Sequence, residues 1–124
     1  YLTENEWVKF GKYRILVGDL QSYHPALKNS KAVYYFNSEN INKNLLVRTF
    51  KQGDRIHLPG MEQAKRVSRI FIDEKIPVND RHLLPIIATA DEIIAVESIR
   101  HSKKVSKSKR PFDNCVIIIK DDSL

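Results

Sequence analysis

The chain has 124 residues, 42% apolar and 29% charged, which is the size of one folded domain and a globular composition; a disordered or fibrous chain and two independent cores are excluded. Against 15 Asp and Glu stand 21 Lys and Arg, a net charge of +6 that suits an anionic partner such as nucleic acid and also suits a basic domain that binds nothing acidic. No stretch approaches the roughly 20 apolar residues of a membrane helix and the opening lacks a signal-peptide core, so the expected location is cytoplasmic, away from any membrane; a start at Tyr1 rather than Met points to a segment of a longer polypeptide.

In chain order, the alternation of Tyr13, Ile15 and Val17 in KYRILVG predicts a strand, and the aromatic and branched run AVYYF from Ala32 to Phe36 predicts a second. The stretch between them contains Pro25 and reads as a loop. After the polar connection NSENINKN, LLVRTF predicts a strand, and Gln52-Gly53-Asp54 a tight turn closing a hairpin into DRIHL. The period then lengthens: Ala64, Val67, Ile70 and Phe71 form an apolar stripe over about three turns of helix, with Ile72 outside it. Pro77 ends this helix at or before Ile76, and NDRHLL predicts a short helical turn capped by Asn79 or Asp80. PIIATA and EIIAVES predict two strands joined at Ala90-Asp91, and NCVIIIK a last one. Strands and helix do not alternate, so the predicted class is α+β with one main helix.

The basic residues fall in groups. Lys65, Arg66 and Arg69 lie on one side of the predicted helix, away from Val67, Ile70 and Phe71. Such a face fits phosphate-gripping guanidinium groups and equally a solvated surface. From Arg100 to Arg110, RHSKKVSKSKR carries Arg100, Lys103, Lys104, Lys107, Lys109 and Arg110 with no acid; the interleaved serines predict a mobile loop between strands that follows a phosphate backbone without reading bases. Arg48 and Arg55 flank the Gly53 turn, where Asp54 and Arg55 fit a structural pair as well as RNA contact, and Arg81 follows the helix terminator. Cys115, set in an apolar run, reads as a buried structural thiol. His24, His57, His82 and His101 lack ligand spacing, which argues against zinc. The sequence has no GxxxxGK[ST], GxGxxG or GxSxG motif. Adjacent carboxylates such as Asp73-Glu74 and Asp91-Glu92 suit element ends rather than acid-base chemistry. No catalytic residue and no metal ligand is assigned.

One ordered string of features is specific. Val47-Arg48, Gly53-Asp54-Arg55, Leu58-Pro59-Gly60-Met61, Lys65-Arg66 with Arg69, Phe71-Ile72-Asp73 through Ile76-Pro77, Arg81 with Pro85, and Asp91-Glu92-Ile93 with Arg100 follow one another. In that order they resemble the C-terminal domain of bacterial tRNA(Ile)-lysidine synthases. The resemblance is close over residues 45–100 and loose over the β-rich 1–44 and over 101–124, which hold the basic loop and last strand. Gln52, Ala90, Ala95 and Ser98 depart from the family's proline, glycine, tryptophan and glycine.

The resemblance implies one domain over 1–124, a small β-sandwich-like α+β fold similar to a domain of the phenylalanyl-tRNA synthetase β chain. It implies a ligase that joins lysine to the wobble cytidine of an isoleucine tRNA, with ATP, Mg and lysine used by an N-terminal catalytic domain of the same chain. This fragment would be non-catalytic and would hold the tRNA towards its acceptor stem. Candidate tRNA-binding residues are Arg48, Arg55, Lys65, Arg66, Arg69, Arg81, Arg100, Lys103, Lys104 and Lys107. The second reading is a protein-interaction module, a homodimer included, built on the surface around Tyr34, Tyr35 and Phe36, with the charge serving solubility alone.

Overall fold

A computed structural model describes residues 1–23, 28–41 and 44–123; the readings of His24, Pro25 and the 42–43 part of the NSENINKN connection lie outside them. Strands β1 (Val8–Phe10), β2 (Tyr13–Asp19) and β3 (Ala32–Phe36) join β10 (Cys115–Asp121) in a sheet ordered β1-β2-β10-β3. A short helix, α1 (Leu20–Tyr23), follows β2. The second sheet, ordered β4-β7-β8-β9, contains β4 (Leu46–Arg48), β7 (Ile86–Ala88), β8 (Ile93–Val96) and β9 (Arg100–His101). Between β4 and β7 lie the two-stranded ribbon β5 (Arg55–Ile56) with β6 (Lys65–Arg66), helix α2 (Val67–Asp73) and a 3-10 helix, Val78–Leu83. The class is α+β, as the sequence predicts.

The cores explain why several strands carry no alternation. Tyr13, Ile15, Tyr34, Phe36, Ile117 and Ile119 of the first sheet meet Ile87, Ile94 and Ala95 of the second, which fills the sandwich. On the far side of the second sheet, Ile86, Ala88, Ile93 and Val96 pack against Val67, Ile70 and Phe71 of α2 and against Ile56 and Leu58. On the far side of the first, Leu16, Val116 and Ile118 gather with Leu20. Both sheets are therefore covered on two faces, so IIA, IIAV and CVIIIK read as continuous apolar runs. The register shift between Ile87 and Ala88 is a bulge that turns both Ile94 and Ala95 towards the sandwich.

A polar group ties the two sheets together. Glu97, buried at 5% exposure, takes a left-handed φ of 44° just past β8. Its carboxylate accepts the Tyr13 hydroxyl at 2.5 Å and the Ser98 amide at 3.1 Å, while its carbonyl accepts the Tyr34 hydroxyl at 2.5 Å. Burial, and then the neighbouring Glu97, pushes both phenols well above the usual tyrosine range, as expected where the anionic form would face an acid in a dry site.

Several elements differ from the sequence reading. The β4–β5 hairpin does not form: β4 pairs with β7, and β5 with β6. The turn between them does, with Gly53 at φ 93°, but it carries the chain out of the sheet so that Ile56 enters the α2 core. Asp54 pairs with Arg48, not Arg55: its carboxylate accepts Arg48 Nη1 at 2.8 Å and Nη2 at 3.0 Å and the Lys51 amide at 2.8 Å. The predicted helix loses its first turn because Arg66, at φ −67° and ψ 132°, is extended to pair with Arg55. Its end is set before the proline, where Lys75 at φ 57° directs its own amide to the Ile72 carbonyl at 3.0 Å and that of Ile76 to Phe71 at 2.8 Å. That pairing is the Schellman arrangement, completed by Ile76 packing on the same cluster as Phe71. The 3-10 helix starts after Pro77 with no side-chain cap, so neither Asn79 nor Asp80 caps it. Cys115 is half-buried rather than buried.

The Arg48–Asp54 pair and the Lys75 turn can each be tested by unfolding. Burial alone would raise the Asp54 carboxyl, but the hydrogen bonds from Arg48 and Lys51 outweigh it and hold the group below the usual carboxylate range. A folded value below the unfolded one stabilises fully above about pH 4, and that stability is lost as pH falls through the folded value. Arg48→Ala, measured by urea unfolding, is expected to cost about 2 kcal/mol at neutral pH and to flatten this acid-side loss. Lys75→Gly is expected to raise stability by about 0.5–1 kcal/mol in the same assay, since glycine removes most of the left-handed penalty but loosens the unfolded chain.

Candidate nucleic-acid interface

Local folding decides which of the basic side chains are available to a ligand. Arg48 is committed to Asp54. Lys65 Nζ lies 2.8 Å from Asp73 and Arg69 Nε 3.2 Å from the same carboxyl group. The hydrogen bond from Lys65, then the charges of Lys65, Arg69 and Arg100, hold Asp73 below the usual carboxylate range. Arg100 pairs with Glu74 and donates to the Ile99 carbonyl at 2.8 Å. Lys104 Nζ reaches Glu92 at 2.6 Å. Arg81 donates to the Ile76 carbonyl at 3.2 Å and sits over the Phe71 ring, bracing the end of α2. The remaining candidates, Arg55, Arg66, Lys103 and Lys107, have no side-chain partner among the described residues, and all four are exposed.

Three of these four fall together. Arg55 and Arg66 are directly opposed in the β5–β6 ribbon, so their side chains leave the same face. In water, like charges this close repel and destabilise the ribbon unless an anion lies between them. Two residues on, on the same side of an extended chain, is His57, and its carbonyl accepts the Lys103 amide at 2.9 Å. Arg66, Arg55, His57 and Lys103 are thus exposed neighbours through backbone pairing, a basic ridge that starts on the β5–β6 ribbon. The predicted helical face of Lys65, Arg66 and Arg69 is replaced: Lys65 and Arg66 belong to β6, and Lys65 and Arg69 turn to Asp73. His57 is not among the residues that sequence reasoning selects, although the alternation in DRIHL places it beside Arg55.

The segment 100–110 is not a free loop. Val105 and Ser102 are buried, Ser106 and Tyr35 exchange backbone hydrogen bonds at 2.7 and 3.0 Å, and Arg110 is held by Asp113. Lys107 lies apart from the ridge, beside Lys31 and Ser98. The aromatic surface of the second reading is taken up by packing. Tyr34 and Phe36 are buried in the sandwich, and Tyr35 packs on the opposite face of the sheet.

Other features do not suit an anion or a cofactor. A cavity of about 450 Å³ near the chain start is lined by Glu4 and Asp19 among apolar, amide and hydroxyl groups, with no Lys or Arg among the described residues, a lining that disfavours a phosphate. Among the described residues no three His, Cys, Asp or Glu side chains converge to hold a metal ion, and no helix is long and apolar enough to cross a membrane.

Comparison with known proteins agrees with this architecture. Residues 45–112 match the family model described as the TilS substrate C-terminal domain. The chain is 31% identical over 107 residues to a tRNA(Ile)-lysidine synthase of Caldanaerobacter subterraneus subsp. tengcongensis, which covers 86% of this chain and 23% of that protein. Over 76 residues it is 38% identical to a tRNA(Ile)-lysidine synthase of Bacillus subtilis, covering 60% of this chain and 16% of that protein. The chain therefore spans less than a quarter of the length of either relative. In structure it is similar to a chain described as the crystal structure of a TilS C-terminal domain, with a TM-score of 0.78 at 24% identity over 97% of this chain and 93% of that one. That likeness shows that the two share a fold. With its family model spanning residues 45–112, the chain belongs to the TilS substrate C-terminal domain family.

Proposed function

We propose that residues 1–124 act as one domain that grips tRNA(Ile) within a cytoplasmic tRNA(Ile)-lysidine synthase, and that the grip is centred on Arg55 and Arg66. The observation that carries this reading is the direct opposition of two exposed arginines, neither with a side-chain partner among the described residues, across β5–β6. A protein has little reason to hold such a pair without an anion, and two guanidinium forks side by side match adjacent phosphate oxygens. His57 and Lys103 extend the contact along the same face. Lys65, Arg69, Arg81, Arg100 and Lys104 have a supporting role: their charges are largely neutralised by Asp73, Glu74 and Glu92 or directed at backbone, and they fix the ribbon and helix that aim the ridge. Contacts of this kind read backbone shape rather than sequence.

On this reading the ATP-dependent joining of lysine to the wobble cytidine belongs to an N-terminal catalytic domain of the parent enzyme. The residues present here do not fit ATP with Mg: the sequence has no phosphate-binding glycine loop, and Asp54, Asp73, Glu74, Glu92 and Asp113 are each engaged by a cation.

The experiment is tRNA binding as a function of salt. Replacing both Arg55 and Arg66 with alanine is expected to weaken binding at least tenfold near 50 mM salt. It should also reduce the log–log salt slope by about 2, one for each phosphate no longer neutralised. Lys65→Ala with Arg69→Ala is expected to weaken it less, because that pair's charge is already shared with Asp73. Unchanged affinity and slope in the Arg55/Arg66 variant would remove the ridge from consideration.

A further inference from the structure

Among the residues whose burial is described, and apart from Tyr1, the most exposed large aromatic is Phe112, at 82% exposure. Its exposure does not come from a loose segment. The turn Arg110–Asp113 is closed by the Asp113 amide on the Arg110 carbonyl at 3.1 Å. The buried Asp113 carboxylate accepts the Arg110 amide at 2.9 Å and its guanidinium at 2.9 and 3.1 Å, and Pro111 fixes the first turn angle. The turn also leans on the neighbouring 37–40 turn, where the Asn114 side chain accepts the Ser38 amide at 3.0 Å and donates to its hydroxyl at 3.3 Å. The sequence places a large apolar ring in water on a braced support, which forgoes a burial that would be worth a tenfold or greater gain in the folding equilibrium.

The two turns enclose an open cleft of about 430 Å³ lined by Arg110, Pro111, Phe112 and Asp113 of one and by Asn37, Glu39 and Asn40 of the other. The cleft continues the ridge through bonded neighbours: Arg110 Nη2 donates to the Lys104 carbonyl at 3.1 Å, and Lys104 follows Lys103, whose amide is held by His57. Exposed Lys109 precedes Arg110 of the cleft in the chain, its Nζ 3.2 Å from the Arg110 carbonyl.

We infer that this cleft seats the base of one unpaired nucleotide, stacked on Phe112, at the end of the phosphate track formed by the ridge. Its walls match that occupant. A phenyl ring supplies a stacking platform tolerant of any base, amide side chains can meet a base edge, and Lys109, bonded to the carbonyl of the cleft's Arg110, supplies a cation for a flanking phosphate. The carboxylate of Glu39 disfavours a phosphate inside the cleft and favours a base with an exocyclic amino group, such as cytosine. The inference rests on the RNA-gripping reading above and adds to it a single-stranded element that the paired-phosphate ridge does not need.

The test compares a fluorescently labelled ten-residue oligo(C) with an abasic oligomer of the same length, by anisotropy at fixed salt. Oligo(C) is expected to bind roughly tenfold tighter than the abasic chain. Phe112→Ala should erase that ratio while leaving abasic affinity unchanged, and Phe112→Tyr should keep it. Because Phe112 is exposed on a turn held by other residues, the alanine variant is expected to retain its unfolding midpoint. A ratio near one in the unsubstituted protein, or a ratio unaffected by Phe112→Ala, overturns the inference. So does a shift from dimer to monomer caused by Phe112→Ala in sedimentation with the base ratio intact, which would make Phe112 a protein contact. Loss of abasic binding in the Arg55/Arg66 variant reports separately on the ridge, so the two claims can fail independently.

Discussion

The fold depends on the burial of the β7–β8 hairpin from both sides. Ile86, Ile87, Ala88, Ile93, Ile94, Ala95 and Val96 are all 5% exposed or less. One face closes the sandwich and the other receives α2. Each large side chain among them contributes on the order of 1.5–3 kcal/mol by leaving water. With both faces occupied, no register slip is tolerated, and the elements around the hairpin are positioned relative to one rigid plane. The β5–β6 ribbon gains its place this way. It is only two residues deep on each strand, too short to be stable alone, and it is held because Ile56 is inserted into the α2 core and Asp54 is clamped by Arg48.

That clamp also separates structural charge from available charge. A net of +6 says little about where an anion would bind, since seven of the 15 acids are paired with cations among the described residues. Exposed pairs of this kind contribute little stability, about 0–1 kcal/mol each, but they neutralise the field of the cations they engage. Among the arginines, Arg14, Arg48, Arg69, Arg100 and Arg110 are ion-paired and Arg81 is directed at backbone, which leaves Arg55 and Arg66, distinguished by being neighbours. The same pairing turns the Arg100–Arg110 segment from a flexible cationic strap into a tacked-down edge in which Arg110 is a turn brace and Lys104 a partner of Glu92.

Much of the fold is legible in the sequence. Long apolar or alternating runs such as KYRILVG, AVYYF, PIIA, EIIAV and NCVIII become strands because their burial is set by composition over several residues. The family is legible too, since the order of short motifs from Val47 to Arg100 carries more information than any one of them. Strand pairing is not. LLVR and DRI are close in the chain and predict a hairpin, yet β4 finds β7, a choice made by tertiary burial of Ile56 rather than by the turn. Lys65 and Arg66 follow the helical period but are drawn into extended geometry by Arg55, 11 residues away in the chain. Asp54 likewise bonds Arg48, six residues distant, and not the adjacent Arg55, because adjacency in sequence is a poor guide to which side chains share a turn. Phe112 leaves no trace at all: an exposed aromatic and a buried one look alike until the turn that carries it is known.

On the proposed reading, anion recognition is concentrated on the β5–β6 ridge rather than spread over the whole basic surface. The most direct measurement is amide chemical-shift mapping of the isotopically labelled domain titrated with unlabelled tRNA(Ile) at low salt. The largest changes are expected on residues 55–57, 66 and 103, with little change at Lys9, Lys12 and Lys31 on the first sheet. Changes centred on the first sheet, or spread evenly over exposed lysines, would contradict it.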